Sequence, residues 1–240
     1  MSELWVCHLG VVEYREALAL QERVRAARQA EAVPDVLLVL EHPPVYTRGR
    51  RSRPGELSMG EDWYRAHGID VVQTNRGGKV TYHGPGQLVG YPIVRTEDVV
   101  GYVRALEQAL VAALAEADVA ARARALDGPA FTGVWVEDRK IASIGIHLSR
   151  GVTAHGFAVN VENDLEPFSW IVPCGLDGVR MTSLLAETGR GGMKCFRRRV
   201  AFAVASSLGH RQRLVTRRRL EAAVVPTAPA SSLLAPTAGA

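Results

Sequence analysis

A short run of glycines and polar residues, residues 76–87, constrains this chain of 240 residues more than any other segment. Four glycines lie in this run, which follows an apolar segment at residues 69–72 and precedes another at residues 88–93. Glycine allows turns and close backbone approaches that a Cβ atom would block. The pattern predicts a loop between two strands, a common place for functional residues on a rigid scaffold.

Simpler explanations account for this run less well. A phosphate-binding loop needs a glycine five positions before Gly78 and a hydroxyl residue after Lys79, but Gln73 and Val80 stand there. The G-x-G-x-x-G pattern of dinucleotide-binding proteins is also missing. A plain hairpin connection with turn glycines stays open as the alternative, although a turn does not need Arg76 or His83.

Size and composition indicate one globular domain. The chain has a mass of 26.0 kDa, with 47% hydrophobic and 22% charged residues, which is ordinary for a folded protein that buries one core. We predict a single catalytic domain over residues 1–222. Residues 226–240 contain Pro, Ala, Ser and Thr without periodicity and are expected to be disordered.

Features that the sequence lacks predict its cellular location. No stretch of about 18 apolar residues suggests a membrane span, and the first residues do not resemble a signal peptide. Three cysteines without a C-x-x-C pair argue against a disulfide framework and a zinc knuckle. These features predict a cytoplasmic protein without a metal site and without a membrane association.

Positive charge is concentrated in three arginine clusters, although the net charge is only +4. The clusters cover residues 48–53, 197–199 and 217–219. Such patches attract polyanions or acidic proteins, but an arginine-rich solvated surface is an equally good explanation. The clusters lack the interleaved aromatic residues that stack on single-stranded nucleic acid.

Hydrophobic periodicity predicts a mixed fold of helices and strands. Helices are predicted at residues 12–28, 61–66, 97–116, 200–208 and 214–224. Strands are predicted at residues 36–40, 131–136, 141–148 and 157–161, with a turn at residues 137–139 between the second and the third.

Cys174 and Lys140 are candidates for nucleophilic chemistry. Cys174 lies between Pro173 and Gly175, which predicts a loop where the sulfur is accessible and backbone N–H groups are free. For Cys7 and Cys195 a buried, inert thiol is the better interpretation. A thiol is mostly protonated at neutral pH and needs a nearby base or cation. Lys140 begins a strand, but the pattern alone does not choose it over His83 or His155.

Several separated blocks together resemble the lipoyl(octanoyl) transferases of lipoate biosynthesis. They occur in the family's order over about residues 4–208, which makes the resemblance specific. The blocks are residues 41–47, 76–92, 140–145, 155–160, 173–175 and 181–184.

The resemblance implies a fold, an activity and a set of site residues. The fold would be α+β, a mixed β-sheet flanked by helices as in the catalytic domains of biotin and lipoate protein ligases. The reaction would move an octanoyl group from octanoyl-acyl carrier protein to a lysine of lipoyl domains, namely those of 2-oxoacid dehydrogenase complexes and the glycine-cleavage H protein. No cofactor is implied beyond the phosphopantetheine that carries the acyl group. Cys174 matches the acyl-thioester nucleophile and Lys140 the residue that activates it. The acyl-binding contacts match Arg76, Gly77, Gly78, Lys79, Val80, Thr81, Tyr82, His83, Ser143, Ile144, Gly145, Gly156, Phe157 and Ala158.

Three other functions stay open beside this one. An ATP-dependent lipoate or biotin ligase would share the fold but would not use a cysteine nucleophile. A cysteine hydrolase would release free octanoate, and a nucleic-acid-binding module would show steeply salt-dependent binding. The nucleic-acid interpretation leaves Cys174 and the run at residues 76–87 unexplained.

Overall fold

The computed structural model describes residues 2–53, 55–171 and 179–225. The strands are β1 (Ser2–Val11), β2 (Asp35–Glu41), β3 (Val45–Arg48), β4 (Asp70–Gln73), β5 (Thr81–His83), β6 (Gln87–Ile93), β7 (Arg122–Ala123), β8 (Gly133–Val136), β9 (Arg139–Ser149), β10 (Val152–Asn160), β11 (Arg180–Met181) and β12 (His210–Leu214). The helices are α1 (Tyr14–Gln29), α2 (Glu61–Ala66), α3 (Val99–Ala115), α4 (Leu184–Thr188), α5 (Met193–Ser207) and α6 (Arg217–Ala223). Short 3₁₀ turns cover Ala125–Asp127, Pro129–Phe131 and Glu166–Trp170.

Two mixed β-sheets organise the described residues. The larger sheet has the strand order β12-β1-β2-β6-β10-β9-β8-β7, and β11 also pairs with β9. The smaller sheet has the order β4-β3-β5. Strand β1 runs parallel to both β2 and β12, and β11 runs parallel to β9. The pairs β2–β6, β6–β10, β10–β9 and β9–β8 are antiparallel.

Helices cover both faces of the larger sheet. One apolar cluster packs α3 and α5 against one face, with Leu106, Leu110 and Phe196 among its buried members. A second cluster packs α1 and α6 against the other face. A third, rich in aromatic residues, lies under the smaller sheet and α2. Burial on both faces explains why β2 is an almost continuous apolar run, because neither face of the strand meets water.

Elements with a strong local pattern are confirmed. The predicted helix at residues 97–116 is α3, and it begins where the Asp98 side chain accepts a hydrogen bond from the Gly101 N–H (2.8 Å). The helix at residues 61–66 and the strands at residues 36–40 and 141–148 are also present.

Other predicted boundaries were wrong. Helix α5 begins at Met193, seven residues before the predicted start, so the arginines at residues 197–199 are helical. The helix predicted from residue 214 begins at Arg217, because Leu214 ends the edge strand β12. Strand β10 begins at Val152 and not at residue 157, and β8 begins at Gly133 after a 3₁₀ turn. Strands β1, β3, β7, β11 and β12 were not predicted, and β5 lies inside the run that was predicted to be a loop.

No helix in the described ranges is long and apolar enough to cross a membrane. The disorder predicted for residues 226–240 lies outside the described residues.

Candidate active site

A cavity of about 860 Å³ lies where the loop that precedes β5 approaches β9 and β10. It is lined by every residue of the predicted acyl-binding set except Tyr82, together with Lys140. The remaining lining includes Tyr14, Arg50, Arg51, Ser52, Arg53, Tyr91, Val99, Val100, Val103, Arg104, Ala125, Gly128, Pro129, Ala130, Thr132, Ile146 and His155. Segments far apart in the sequence therefore share one site.

The glycine-rich run is not a plain hairpin connection. Strands β4 and β5 lie on opposite sides of β3, so residues 74–80 cross the end of β3 between strands that are not neighbours. The loop rests on β9, where the Gly77 N–H donates to the Ile146 carbonyl (2.8 Å). A Cβ atom on Gly145 would lie 2.9 Å from the Gly77 carbonyl oxygen. Glycine at position 145 thus permits a backbone-to-backbone contact.

Arg76 holds the loop to the smaller sheet. Its side chain is buried, and its guanidinium donates to the Thr47 hydroxyl (2.7 Å from Nη2) and to the Thr47 carbonyl (2.5 Å). Nη1 also donates to the Gly77 carbonyl (3.0 Å). Arg76 therefore supports the shape of the loop while it lines the cavity.

Paired strands supply the opposite wall. Ser143, Ile144 and Gly145 of β9 stand beside Ala158, Phe157 and Gly156 of β10 in antiparallel register. A Cβ atom on Gly156 would lie 2.3 Å from the Gly90 carbonyl oxygen, so this glycine allows β10 to approach β6. The wall is consequently a mixture of apolar side chains and exposed backbone.

Lys140 is buried, with 2% of its surface exposed. A lysine at the start of a strand usually points into water, and this one does not. Its Nζ lies 5.2 Å from the centre of the Trp135 ring, and its Cε lies close to Gly133, whose N–H donates to Glu107 (2.9 Å). The backbone of Lys140 pairs with Met181 of β11.

The predicted nucleophile Cys174 lies outside the described residues. The chain around it is placed on both sides. Ile171 forms an isolated antiparallel bridge with Leu57, and β11 joins β9 beside Arg139 and Lys140.

The side chain of Lys79 lines the cavity, whereas that of Tyr82 does not. Tyr82 packs into the aromatic cluster under the smaller sheet, with ring centres 5.5 Å from those of Tyr46 and Phe168. Lys79 lines the cavity and pairs with the buried carboxylate of Glu56 (3.2 Å).

Buried histidines lie along the cavity wall. Burial lowers the pKa of His83 well below its ordinary value, and His42 nearby lowers it further. Burial likewise lowers the pKa of His155 to about 3, with a contribution from Arg76. His155 has a positive φ of 58°, and its backbone N–H donates to the Gln21 side chain (2.8 Å) instead of to a neighbouring strand. Both imidazoles are neutral at pH 7.

Several lining residues had no signal in the sequence. Tyr14 lies on the first turn of α1, and Tyr91 stands in a strand whose residues are all buried. Val99, Val100 and Val103 of α3 also line the cavity. The periodicity of this helix predicts Val100 and Val103 on its apolar stripe, but Val100 is 68% exposed.

Comparisons with known proteins find related sequences and a related fold. Residues 13–203 match the family described as the lipoyl protein ligase A/B catalytic domain. The chain is similar to an octanoyltransferase of Solibacter usitatus, with 52% identity over 172 residues, 70% of this chain and 76% of that protein. It is similar to an octanoyltransferase of Acidothermus cellulolyticus, with 48% identity over 192 residues, 76% of this chain and 81% of that protein. Among solved structures, lipoate-protein ligase A bound with ATP matches with a TM-score of 0.73 at 18% identity, covering 93% of this chain and 92% of that one. At this identity the structural likeness shows the fold alone, and it confirms the predicted α+β class.

Proposed function

The chain belongs to the lipoyl protein ligase A/B catalytic-domain family, and we propose that it transfers an octanoyl group from octanoyl-acyl carrier protein to a lysine of a lipoyl domain. Relatives at 46–52% identity that carry the name octanoyltransferase support octanoyl transfer, the acyltransferase activity predicted from the sequence. The observation that carries the site assignment is the single cavity that joins buried Lys140 to the predicted acyl-binding segments.

An ATP-dependent ligase is the second candidate, because the ligases share the fold. Octanoyltransferase relatives at about three times the sequence identity of that ligase favour the transferase. The transferase reaction needs neither ATP nor a metal, because converting a thioester into an amide is downhill.

The proposed first half-reaction forms an acyl-enzyme. The Lys140 ammonium favours the thiolate of Cys174, since a neighbouring cation stabilises the anionic sulfur. The thiolate attacks the octanoyl carbonyl and the bond to the carrier sulfur breaks. The carrier thiolate leaves with a proton from Lys140, which makes Lys140 neutral. An octanoyl thioester on Cys174 remains.

The second half-reaction returns the enzyme to its starting state. The amine of the acceptor lysine attacks the thioester carbonyl and passes a proton to neutral Lys140. The amide bond forms, the bond to the Cys174 sulfur breaks, and the thiolate lies again beside an ammonium. Backbone N–H groups near Gly175 or in the glycine-rich loop are proposed to stabilise the tetrahedral oxyanion.

The cavity wall supports an apolar acyl group. Val80, Ile144, Phe157 and Ala158 all line it. Burying six methylenes at ~0.8 kcal/mol each would contribute roughly 5 kcal/mol to binding. We propose that this contribution selects octanoyl over much shorter chains.

We propose that arginines at the cavity dock the acidic carrier protein. Arg50, Arg51 and Arg53 line the cavity, whereas Arg48 is engaged by Glu61 (2.6 Å). The proposed acceptors are the lipoyl domains of 2-oxoacid dehydrogenase complexes and the glycine-cleavage H protein. We place the reaction in the cytoplasm, because a reducing compartment keeps a catalytic thiol free.

Intact-mass measurement tests the proposal directly. The enzyme is mixed with octanoyl-acyl carrier protein and no acceptor, and we expect one octanoyl adduct that hydroxylamine removes. The adduct should be missing in Cys174→Ala and present in the matched control Cys195→Ala, since Cys195 lies on α5 outside the cavity. The buried thiol predicted for Cys7 is confirmed, whereas that predicted for Cys195 was wrong, because this residue is exposed. An active Cys174→Ala enzyme, or turnover that requires ATP, would contradict the proposal and favour the ligase.

A further inference from the structure

A row of buried polar side chains leads from the cavity wall to the backbone beside Lys140. His83 Nδ1 lies 2.7 Å from Gln87 Oε1, and Gln87 Nε2 lies 2.9 Å from Asn160 Oδ1. Asn160 Nδ2 lies 3.0 Å from the carbonyl oxygen of Thr182, whose own N–H donates to the Lys140 carbonyl. Gln87 and Asn160 are cross-strand partners in β6 and β10. The row therefore crosses two strands of the sheet.

The backbone carbonyls of Thr182 and Tyr82 fix the donor and acceptor atoms of the side-chain amides in this row. The Thr182 oxygen can only accept, so Asn160 Nδ2 is the donor and Asn160 Oδ1 is left as an acceptor. Gln87 Nε2 donates to that oxygen and also to the Tyr82 carbonyl (3.2 Å). Both N–H bonds of the Gln87 amide are then used, and Oε1 faces His83. His83 Nδ1 must carry the proton.

The other ring nitrogen of His83 is therefore a lone-pair acceptor. Burial holds the pKa of His83 well below its ordinary value, with smaller contributions from the neighbouring His42, Arg76 and His155, so the ring is neutral. A neutral imidazole with its proton on Nδ1 has an unprotonated Nε2. No group among the described residues hydrogen-bonds to this Nε2, and it is not one of their fully enclosed polar atoms. The ring lines the cavity, stacked on Tyr14 with centroids 6.0 Å apart.

We infer that His83 Nε2 accepts a hydrogen bond from an N–H group of a substrate arm, and that Gln87 and Asn160 are positioning residues that hold this tautomer. The inference rests on the proposed function. Two substrate groups share the required chemistry, the amine of the acceptor lysine and an amide of the pantetheine arm of the donor. An amine held through an N–H keeps its lone pair free for attack. Because burial makes His83 a weak base, it orients the nitrogen and leaves proton removal to Lys140.

The tautomer is measured without substrate. Imidazole ¹⁵N NMR of the wild-type protein at pH 7.5 should show His83 with its proton on Nδ1. His42 is an internal control, because its Nδ1 must donate to the Val12 carbonyl (2.7 Å). Gln87→Leu should release His83 from this tautomer and leave His42 unchanged. A wild-type His83 protonated on Nε2, or an imidazolium, would overturn the inference.

The half-reactions identify the donor group. His83→Leu removes the acceptor, whereas His83→Gln replaces it with an amide oxygen. We expect His83→Leu to slow one half-reaction about tenfold, the cost of one lost hydrogen bond, and His83→Gln to restore most of that rate. A slower transfer to the lipoyl domain assigns the lysine amine, a slower acylation by octanoyl-acyl carrier protein assigns the pantetheine amide, and a loss in both assigns both.

Failure of the inference is distinguishable from failure of the proposed function. Unchanged rates in His83→Leu, or a His83→Gln enzyme as slow as His83→Leu, would overturn the role of His83 while acyl transfer stands. A wild-type enzyme that forms no acyl adduct would contradict the proposed function. If His83→Leu does not fold, as judged by circular dichroism, the tautomer of the wild-type protein decides the question.

Discussion

Lys140 combines a charged group with nearly complete burial. Transfer of an ammonium group out of water costs free energy, so buried lysines occur mainly where they are paired or at functional sites. The sequence suggested Lys140 only through a family resemblance, since lysines after a turn usually stay in water. Because Lys140 lines the cavity, its catalytic role can be tested by replacing this single residue.

We predict that Lys140→Met slows formation of the octanoyl adduct by about 100-fold or more, because a proton-transfer group typically contributes at least that much. The rate is measured by quenched mixing followed by intact mass. Lys194→Met serves as the control, since Lys194 is exposed on α5. Wild-type acylation by the Lys140 variant would refute the assigned role.

His42 gives a prediction about stability and pH. Burial lowers its pKa to about 4, against a smaller opposing effect of the hydrogen bond to Val12. In the unfolded chain the pKa is about 6.5, so acid protonates the unfolded state first. The contribution of neutral His42 to the free energy of unfolding is complete above about pH 6.5 and falls by about 1.4 kcal/mol per pH unit towards pH 4.

Urea unfolding at pH 7.5, 5.5 and 4.5 tests whether stability falls as the pH is lowered. The free energy of unfolding of the wild-type protein should fall with pH more steeply than that of His42→Gln. The difference between the two proteins removes the contribution of other titrating groups. Equal slopes would show that His42 does not drive the acid sensitivity.

At the scale of elements, the contact between β9 and the glycine-rich loop depends on one missing side chain. The close approach of Gly145 to the Gly77 carbonyl leaves no room for a Cβ atom. We predict that Gly145→Ala displaces the loop and raises the KM for octanoyl-acyl carrier protein several-fold. Ser149→Ala, at the end of the same strand, should leave the KM unchanged, because Ser149 uses its carbonyl to accept from Gln29. Equal KM values for Gly145→Ala and the wild type would contradict a role for this contact.

Errors in element prediction also have local causes. Strand β12 has the sequence HRQRL and is largely exposed at the sheet edge. Its charged side chains suit an edge strand, which must avoid pairing with other chains. The same side chains remove the alternation of apolar and polar residues by which a strand is predicted. The early start of α5 was missed because Lys194 and the arginines at residues 197–199 obscure its apolar stripe.

At the scale of the whole molecule, the three arginine clusters have different surroundings. Residues 50–53 line the cavity. Arg217 on α6 is engaged by Glu16 and Glu221. Helix α5, which carries the cluster at residues 197–199, packs on the face of the larger sheet opposite to α6. Of the three clusters, only the first lines the cavity to which we propose that the carrier protein delivers its acyl group.

We predict that replacing Arg50, Arg51 and Arg53 together by Ser raises the KM for octanoyl-acyl carrier protein about tenfold at low ionic strength and flattens its dependence on salt, because screened surface charges steer association. The control replaces Arg198, Arg211 and Arg218, three exposed arginines outside the cavity. A KM that responds equally to both triple variants would show a non-specific charge effect.

Local patterns by themselves determined helix α3 and strand β2, because periodicity and backbone stereochemistry act over a few residues. The candidate site residues followed from the resemblance of separate blocks of the sequence to a known family. The tertiary structure alone decided that Lys140 lines the same cavity as Arg76, that Tyr82 turns away from it, and that His83 is held as one tautomer. These facts depend on contacts between residues tens of positions apart, such as the carbonyl of Thr182 acting on the ring of His83 through two side chains. No single segment encodes such contacts, since each needs the folded sheet to bring its partners within hydrogen-bonding distance.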